Sequence, residues 1–321
     1  MRQLGRPSGW KKSSKEESKG EGAFTAPSFH NMRLKDRNLA ILLILPSIVV
    51  LGMLVIYPLL HTIYLSLHSK NALEETVYFL GLENYRSLFF DPEFWHSLKN
   101  GLVFTFGSVI LALIIGTGVA LVLNEPFRGR SLARSLVIFP YLVSTISVVL
   151  VWRWMLDSVN GIVNYLLLAG KIIPQPLVWF GVDTAMLSVI LVNTWKYFPF
   201  VSICVLARLQ TIPEDLYSAA KVDGARWLRR FWDITLPQLK NVILIVIILR
   251  FIWNFNNFDL IWLLTQGGPA GATQTLPHLT YIQAFPQMRM GLASTTGVLI
   301  MIVLIAFYLL FLKIGKPTQE E

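Results

Sequence analysis

Long runs of apolar residues alternate along this chain with shorter polar connections. Six runs each reach the roughly 20 residues that carry a helix across a bilayer's hydrocarbon core. They are Leu39 to Leu67, Gly101 to Leu123, Leu132 to Leu156, Ala185 to Leu206, Val242 to Leu264 and Leu292 to Leu312. Nothing between them repeats with the two-residue period of a strand, which excludes a membrane β-barrel. Pro46, Pro58, Pro140 and Pro199 fall inside runs, where neighbouring helices satisfy the carbonyls a proline frees. The pattern predicts an all-α integral membrane protein with six transmembrane helices. Its expected divisions are a disordered polar tail over 1–37, a first transmembrane helix over 38–68 and an extracytoplasmic loop over 69–99. A core with five more spans covers 100–313, and a short tail covers 314–321.

Composition agrees. Of 321 residues, 54% are hydrophobic and 15% charged, with mean hydropathy +0.55, whereas soluble domains are about a quarter charged. A net charge of +9 raises nucleic acid as a partner, but the basic residues are distributed as in a membrane protein. Lys11, Lys12, Arg33, Lys35 and Arg37 precede the first span; Arg128, Arg130 and Arg134 lie between spans two and three. Arg208, Lys221, Arg226, Arg229, Arg230 and Lys240 follow span four, and Lys313 and Lys316 end the chain. The other connections are poorer in base: Asp157 to Thr184 has Lys171 alone, and Thr265 to Gly291 has Arg289 alone. By the positive-inside rule both termini are expected in the cytoplasm. The first apolar run is too long, and lacks a small-residue cleavage site, for a signal peptide. The single cysteine, Cys204, and five scattered histidines offer no metal-ligand spacing.

The connection over 208–241 is too charged to span. Thr211 with Glu214 three residues on has the form of a capping box, and Pro213, Glu214 and Asp215 suit a first helical turn. Tyr217, Ala219, Ala220 and Val222 continue that helix to a turn at Gly224. Trp227, Leu228, Phe231 and Trp232 then share one face of a second short helix, expected to close at Leu236-Pro237. Such a pair fits a partner's groove, or lies on lipid headgroups.

Tyr217-Ser218-Ala219-Ala220, Asp223-Gly224-Ala225 and Ile234-Thr235-Leu236-Pro237 resemble the EAA loop of bacterial ABC-importer permeases. Ser218 departs from the pattern, standing where the family usually has Glu. The resemblance implies type-1 permease architecture, with this loop as the coupling helix in a cleft of a cytoplasmic ATPase. The residues implied in docking are Tyr217 to Ala220, Asp223 to Ala225, Trp227, Phe231, Ile234, Leu236 and Pro237. Further segments are similar to the sugar-importer branch, which takes maltose, other oligosaccharides and glycerol-3-phosphate. They are Gly81-Leu82-Glu83-Asn84-Tyr85, Gly161-Ile162-Val163-Asn164-Tyr165, Trp195 to Phe200 and Gly267-Gly268-Pro269. The implied partners are a second homologous permease, two ATPase subunits, an extracytoplasmic solute-binding protein, the sugar and the lipid bilayer. Multi-pass placement in the bacterial inner membrane follows, with ATP and magnesium on the ATPase and no cofactor here.

No catalytic constellation can be placed from spacing, and no phosphate-binding Gly-x-x-x-x-Gly-Lys-Ser/Thr loop is present, so ATP hydrolysis belongs to another subunit. Arg250, Asn254 and Asn257 share one face of span five, with Asn256 and Asp259 adjoining. Each would be costly against lipid, so that side is expected to face helices or a water-filled cavity. Amides donate to and accept from hydroxyls, which suits a neutral polyol. Trp253 and Phe258 offer ring faces, and Asn193, Ser294 and Thr295 are further lining candidates; the alternative is interhelical packing. Lys196, central in span four, needs a partner, for which Asp259 is the candidate. A sugar importer working by alternating access is the functional expectation. The rivals are an ion-gradient carrier using Lys196 with Asp259, or an ABC permease for a non-sugar solute such as glycerol-3-phosphate or polyamine.

Overall fold

The computed structural model describes residues 29–71 and 77–314, so most of the tails expected over 1–37 and 314–321, namely 1–28 and 315–321, lies outside the described residues. The chain divides into two compact units, residues 1–57 and 58–321. In the first, helix α1 (Phe29–Leu51) leads into a π-helical turn, Gly52–Ile56. The helix begins before the expected tail boundary at 37, because no Pro or Gly interrupts its extension back to Phe29. Leu43, Met53 and Leu54 are among its exposed apolar side chains, a surface that suits lipid.

The next elements are α2 (Tyr57–Ser66) and a short antiparallel hairpin, β1 (His68–Ser69) with β2 (Tyr78–Phe79). Helices α3 (Glu83–Phe89), α4 (Pro92–Asn124), α5 (Arg130–Leu142), α6 (Thr145–Met155) and α7 (Ile162–Ala169) follow. Then come α8 (Ala185–Leu209), α9 (Glu214–Val222), α10 (Trp227–Arg230), a π-helical turn (Phe231–Thr235) and α11 (Leu236–Phe255). The chain closes with α12 (Asp259–Thr265), α13 (Leu276–Ala284) and α14 (Met290–Ile314).

Among the described residues, five helical stretches are long and apolar enough to cross a membrane: Asn38–Ser66, Pro92–Asn124, Ala185–Leu209, Trp227–Phe255 and Met290–Lys313. A sixth crossing exists if α5 and α6, bent by 95° between Leu142 and Thr145, count as one. That bend corrects the unbroken helix expected from Leu132 to Leu156. Val143 is extended there (φ −70°, ψ 138°), and Ser144 supplies no side-chain cap to α6. The span expected from Val242 to Leu264 is also interrupted, since α11 ends at Phe255 and α12 begins at Asp259.

Helices α4 and α8 form the centre. A Cβ on Gly116 would stand 2.7 Å from Val201 Cβ and 2.9 Å from the Phe198 carbonyl oxygen, so only glycine permits this approach. Ala112, Ala120, Val201, Val205, Leu239 and Val246 bury a common cluster beside it. A second cluster joins Phe251 and Phe255 of α11 to Leu276, Leu279 and Ile300. Two sequence motifs serve as staples in the connections. Asn84 donates to the carbonyls of Ser66 (2.9 Å) and His68 (3.1 Å), while Tyr85 pairs with the Ser66 hydroxyl at 2.8 Å. Asn164 donates to Ser158 and Leu177 carbonyls and accepts from the Leu177 amide and Trp179 Nε1. The Gly267-Gly268-Pro269 loop is tied to α4 by Asn100, which donates to the carbonyls of Gly271 and Gln274, both at 3.0 Å.

Candidate functional site: a coupling hairpin and an intramembrane cavity

Helix α9 ends in a Schellman motif. The Ala225 amide bonds to the Ala220 carbonyl (2.9 Å) and the Gly224 amide to the Lys221 carbonyl (3.1 Å). Gly224 has φ +75°, where a Cβ is penalised. This geometry accounts for Gly224 in the motif, while Ala220 and Ala225 contribute their main-chain groups. The capping box does not form: the Thr211 hydroxyl instead donates to the Arg208 carbonyl at 2.8 Å, closing α8, and α9 begins after Pro213 without a side-chain cap.

The second half of the hairpin is not a separate short helix. From Trp227 the helix continues through the π turn and past Pro237 into α11. A proline lacks the amide that an α-helix uses, and the wider π turn ahead of it absorbs the missing bond. Tyr217 reaches across to Thr235, hydroxyl to hydroxyl at 3.1 Å, and holds the two arms together. A cavity of about 480 Å³ lies between them and the end of α4, with Tyr217, Trp227, Phe231 and Thr235 in its wall. Trp227, Leu228 and Trp232 are about 60% exposed, and Ser218, Ala219 and Asp223 are also exposed. The hairpin therefore carries an apolar face uncovered by the described chain, alongside Arg226 and Arg229.

At the break between α11 and α12 is a second cavity of about 190 Å³, lined by Tyr141, Tyr197, Arg250, Trp253, Asn254 and Asn257. An amide chain backs it. Asn193 Nδ2 donates to Asn254 Oδ1 (3.3 Å), Asn257 Nδ2 donates to Asn193 Oδ1 (3.4 Å), and Arg250 donates to Asn254 Oδ1 (2.8 Å). Asn257 Oδ1 also accepts the Leu260 amide at 3.3 Å, which starts α12. The Arg250 guanidinium lies 4.4 Å from the Tyr197 ring centre. Trp253 stands edge-on to Phe200 at 5.2 Å.

Several expected lining residues lie elsewhere. Asn256 is exposed and bonds back to the Ile252 carbonyl. Phe258 stacks on Trp262 (5.3 Å) and His278 (4.8 Å), within a ring cluster that includes Tyr281. Thr295 is buried and donates to the Ser66 and Gly291 carbonyls, so it fastens α14 rather than facing the cavity; Ser294 beside it is half-buried. The pairing of Lys196 with Asp259 is not made. Lys196 Nζ donates at 2.5 Å to the Val143 carbonyl, one of the acceptors freed by the α5–α6 bend, while Asp259 is exposed. Among the described residues the ion pair present is Arg229–Asp233, on the hairpin. Tyr141 and Tyr197 were not singled out as lining from sequence; the available signal was two tyrosines in runs that also carry Pro140 and Pro199.

Outside the spans, His278 is fully buried. Its Nδ1 pairs with the Thr275 hydroxyl at 2.8 Å, Nε2 has no protein partner, and burial pushes its pKa down to about 4. Among the described residues no group of His, Cys, Asp and Glu is placed to hold a metal.

Residues 108–318 match the family described as binding-protein-dependent transport system inner membrane component. The trehalose/maltose transport system permease protein MalF of Thermococcus litoralis is 35% identical over 290 residues, 90% of this chain and 97% of that one. The sulfoquinovosyl glycerol transport system permease protein SmoG of Agrobacterium fabrum is 33% identical over 283 residues, 88% of this chain and 91% of that one. Among solved structures, a chain from a bacterial ABC transporter involved in the import of the acidic polysaccharide alginate aligns with TM-score 0.76. It is 22% identical and covers 89% of this chain and 98% of that chain, a likeness of fold.

Proposed function

The chain belongs to the inner membrane components of binding-protein-dependent transport systems, and on that premise we propose that it is one permease half of an ATP-driven sugar importer. The sugar class rests on relatives named for trehalose, maltose and sulfoquinovosyl glycerol, and on a cavity whose amides and ring faces suit hydroxylated solutes. A second permease would complete the cavity, and a solute-binding protein would deliver the sugar at the far membrane face. ATP and magnesium would be held by two ATPase subunits.

The observation that carries the coupling role is the uncovered apolar face of Trp227, Leu228 and Trp232, held rigidly by the Schellman turn and the Tyr217–Thr235 contact. In the proposed cycle, closure of the ATPase dimer moves the hairpin. Helix α11 follows, and access to Asn254 and Asn257 switches from one membrane face to the other. Purification of the complex from its native membrane tests this. An ATPase and a second permease should copurify, and crosslinkers placed at Ala219 or Trp227 should reach the ATPase. Crosslinks to lipid alone would remove the coupling role. The ion-gradient alternative loses its central feature, since Lys196 holds a main-chain carbonyl rather than Asp259.

A further inference from the structure

Arg250 is the one charged residue among those that line the intramembrane cavity. It is 2% exposed, its Nε has no partner, and its Nη2 donates to the neutral Asn254. A guanidinium carries five N–H donors and a charge that is costly to hold away from water without an anion. None of the cavity's lining residues is a carboxylate. Lys196, 4% exposed and 5.4 Å from the centre of the Tyr197 ring, adds a second positive charge, again with a neutral acceptor. Tyr197 thus neighbours two buried cations, and the cavity wall around it offers amides rather than acids.

We propose that the solute passing this cavity is a sugar bearing an anionic group (a carboxylate, sulfonate or phosphate), which pairs with Arg250. The proposal rests on the sugar-importer reading and narrows its substrate class. In this arrangement the guanidinium takes the anion through its fork of donors, Asn254 and Tyr197 hold it in plane, and Asn257 and Trp253 meet the hydroxyls and ring face. The unladen site is left with an unpaired charge, so the anionic group supplies what the protein lacks.

The test is uptake by intact cells carrying the whole transporter. The probes are radiolabelled saccharide pairs of equal length, one member neutral and the other ending in a uronate, a sulfonate or a sugar phosphate. Wild type should take up at least one acidic member. Arg250→Gln should lower that uptake by about tenfold or more, the scale of a lost hydrogen bond to a charged group, with membrane abundance and recovery of partner subunits unchanged. Which acidic probe responds identifies the anion. Wild-type uptake of neutral members only would overturn the anionic inference and leave the sugar reading intact; uptake of neither would overturn both. An unchanged acidic uptake in Arg250→Gln would also overturn it. Should that variant fail to assemble, Arg250→Lys decides, since it keeps the charge and loses the fork: a retained preference for the acidic over the neutral member supports the pairing, and loss of that preference at normal abundance overturns it.

Discussion

At the scale of single residues, Asn257 has two tasks, one wall of the cavity and the start of α12. Asn257→Leu should weaken uptake at normal assembly with the ATPase, and lower stability by about 1 kcal/mol through the lost bonds; transport at the wild-type rate would remove it from the solute path. His278 gives a pH signature. Unfolded, an imidazole gains its proton as pH falls through about 6.5, whereas the buried ring holds out to about 4. The unfolded chain therefore binds more protons between those values, and folding loses up to about 3 kcal/mol as pH drops from 6.5 to 4. Melting in detergent should fall across that window and flatten in His278→Gln. Residue roles were legible only where chemistry left one choice. A central lysine had to be satisfied, and the sequence named a carboxylate; the acceptor was a carbonyl exposed by a bend that apolar periodicity does not encode.

At the scale of elements, the hairpin was the most readable part, because Gly224 is dictated by a local motif, a turn at φ +75°, rather than by distant contacts. Gly224→Val places a branched side chain at φ +75° with no neighbour to clash against, so its effect is conformational. We expect ATP hydrolysis to continue while uptake drops at least about tenfold, on the scale of 1–2 kcal/mol of backbone strain. Parallel ATPase and uptake assays check this, and normal transport would show that the turn is not the coupling element. The longer apolar runs gave the spans but not their interruptions. Residues 143–144 and 256–258 are as apolar or amide-bearing as their neighbours, and composition alone does not show where a helix stops.

For the whole molecule, the approach of α4 to α8 sets the frame on which the cavity is built. Gly116→Leu would drive a side chain into Val201 and the Phe198 carbonyl. Overpacking of this kind costs roughly 1–3 kcal/mol. The variant should melt lower and lose partner subunits on extraction, detectable by size-exclusion chromatography. Sequence reading reached the membrane class and five of the six expected crossings, the sixth being the bent pair α5–α6, because hydropathy acts over whole helices. It missed this approach, since a glycine within an apolar run does not reveal which helix it meets.

The π turn at Phe231–Thr235 has a consequence of its own. From Trp227 to Phe255 the helix is one rod about 40 Å long, with tryptophans at one end and the Arg250–Asn254 pair at the other. A π turn holds one residue more than an α turn, and each residue turns a helix by about 100°. The wide turn takes up that surplus residue, so the two ends keep the azimuth of an uninterrupted α-helix, much as a keyway fixes two cams on a shaft. Deleting one residue from the α-helical stretch beyond it, Ile245 for example, finds no wide turn to absorb the loss and should leave a continuous helix whose ends are misphased by about 100°. Such a protein would insert, yet could present only one of its two faces correctly, and either ATPase recovery or solute uptake would be lost.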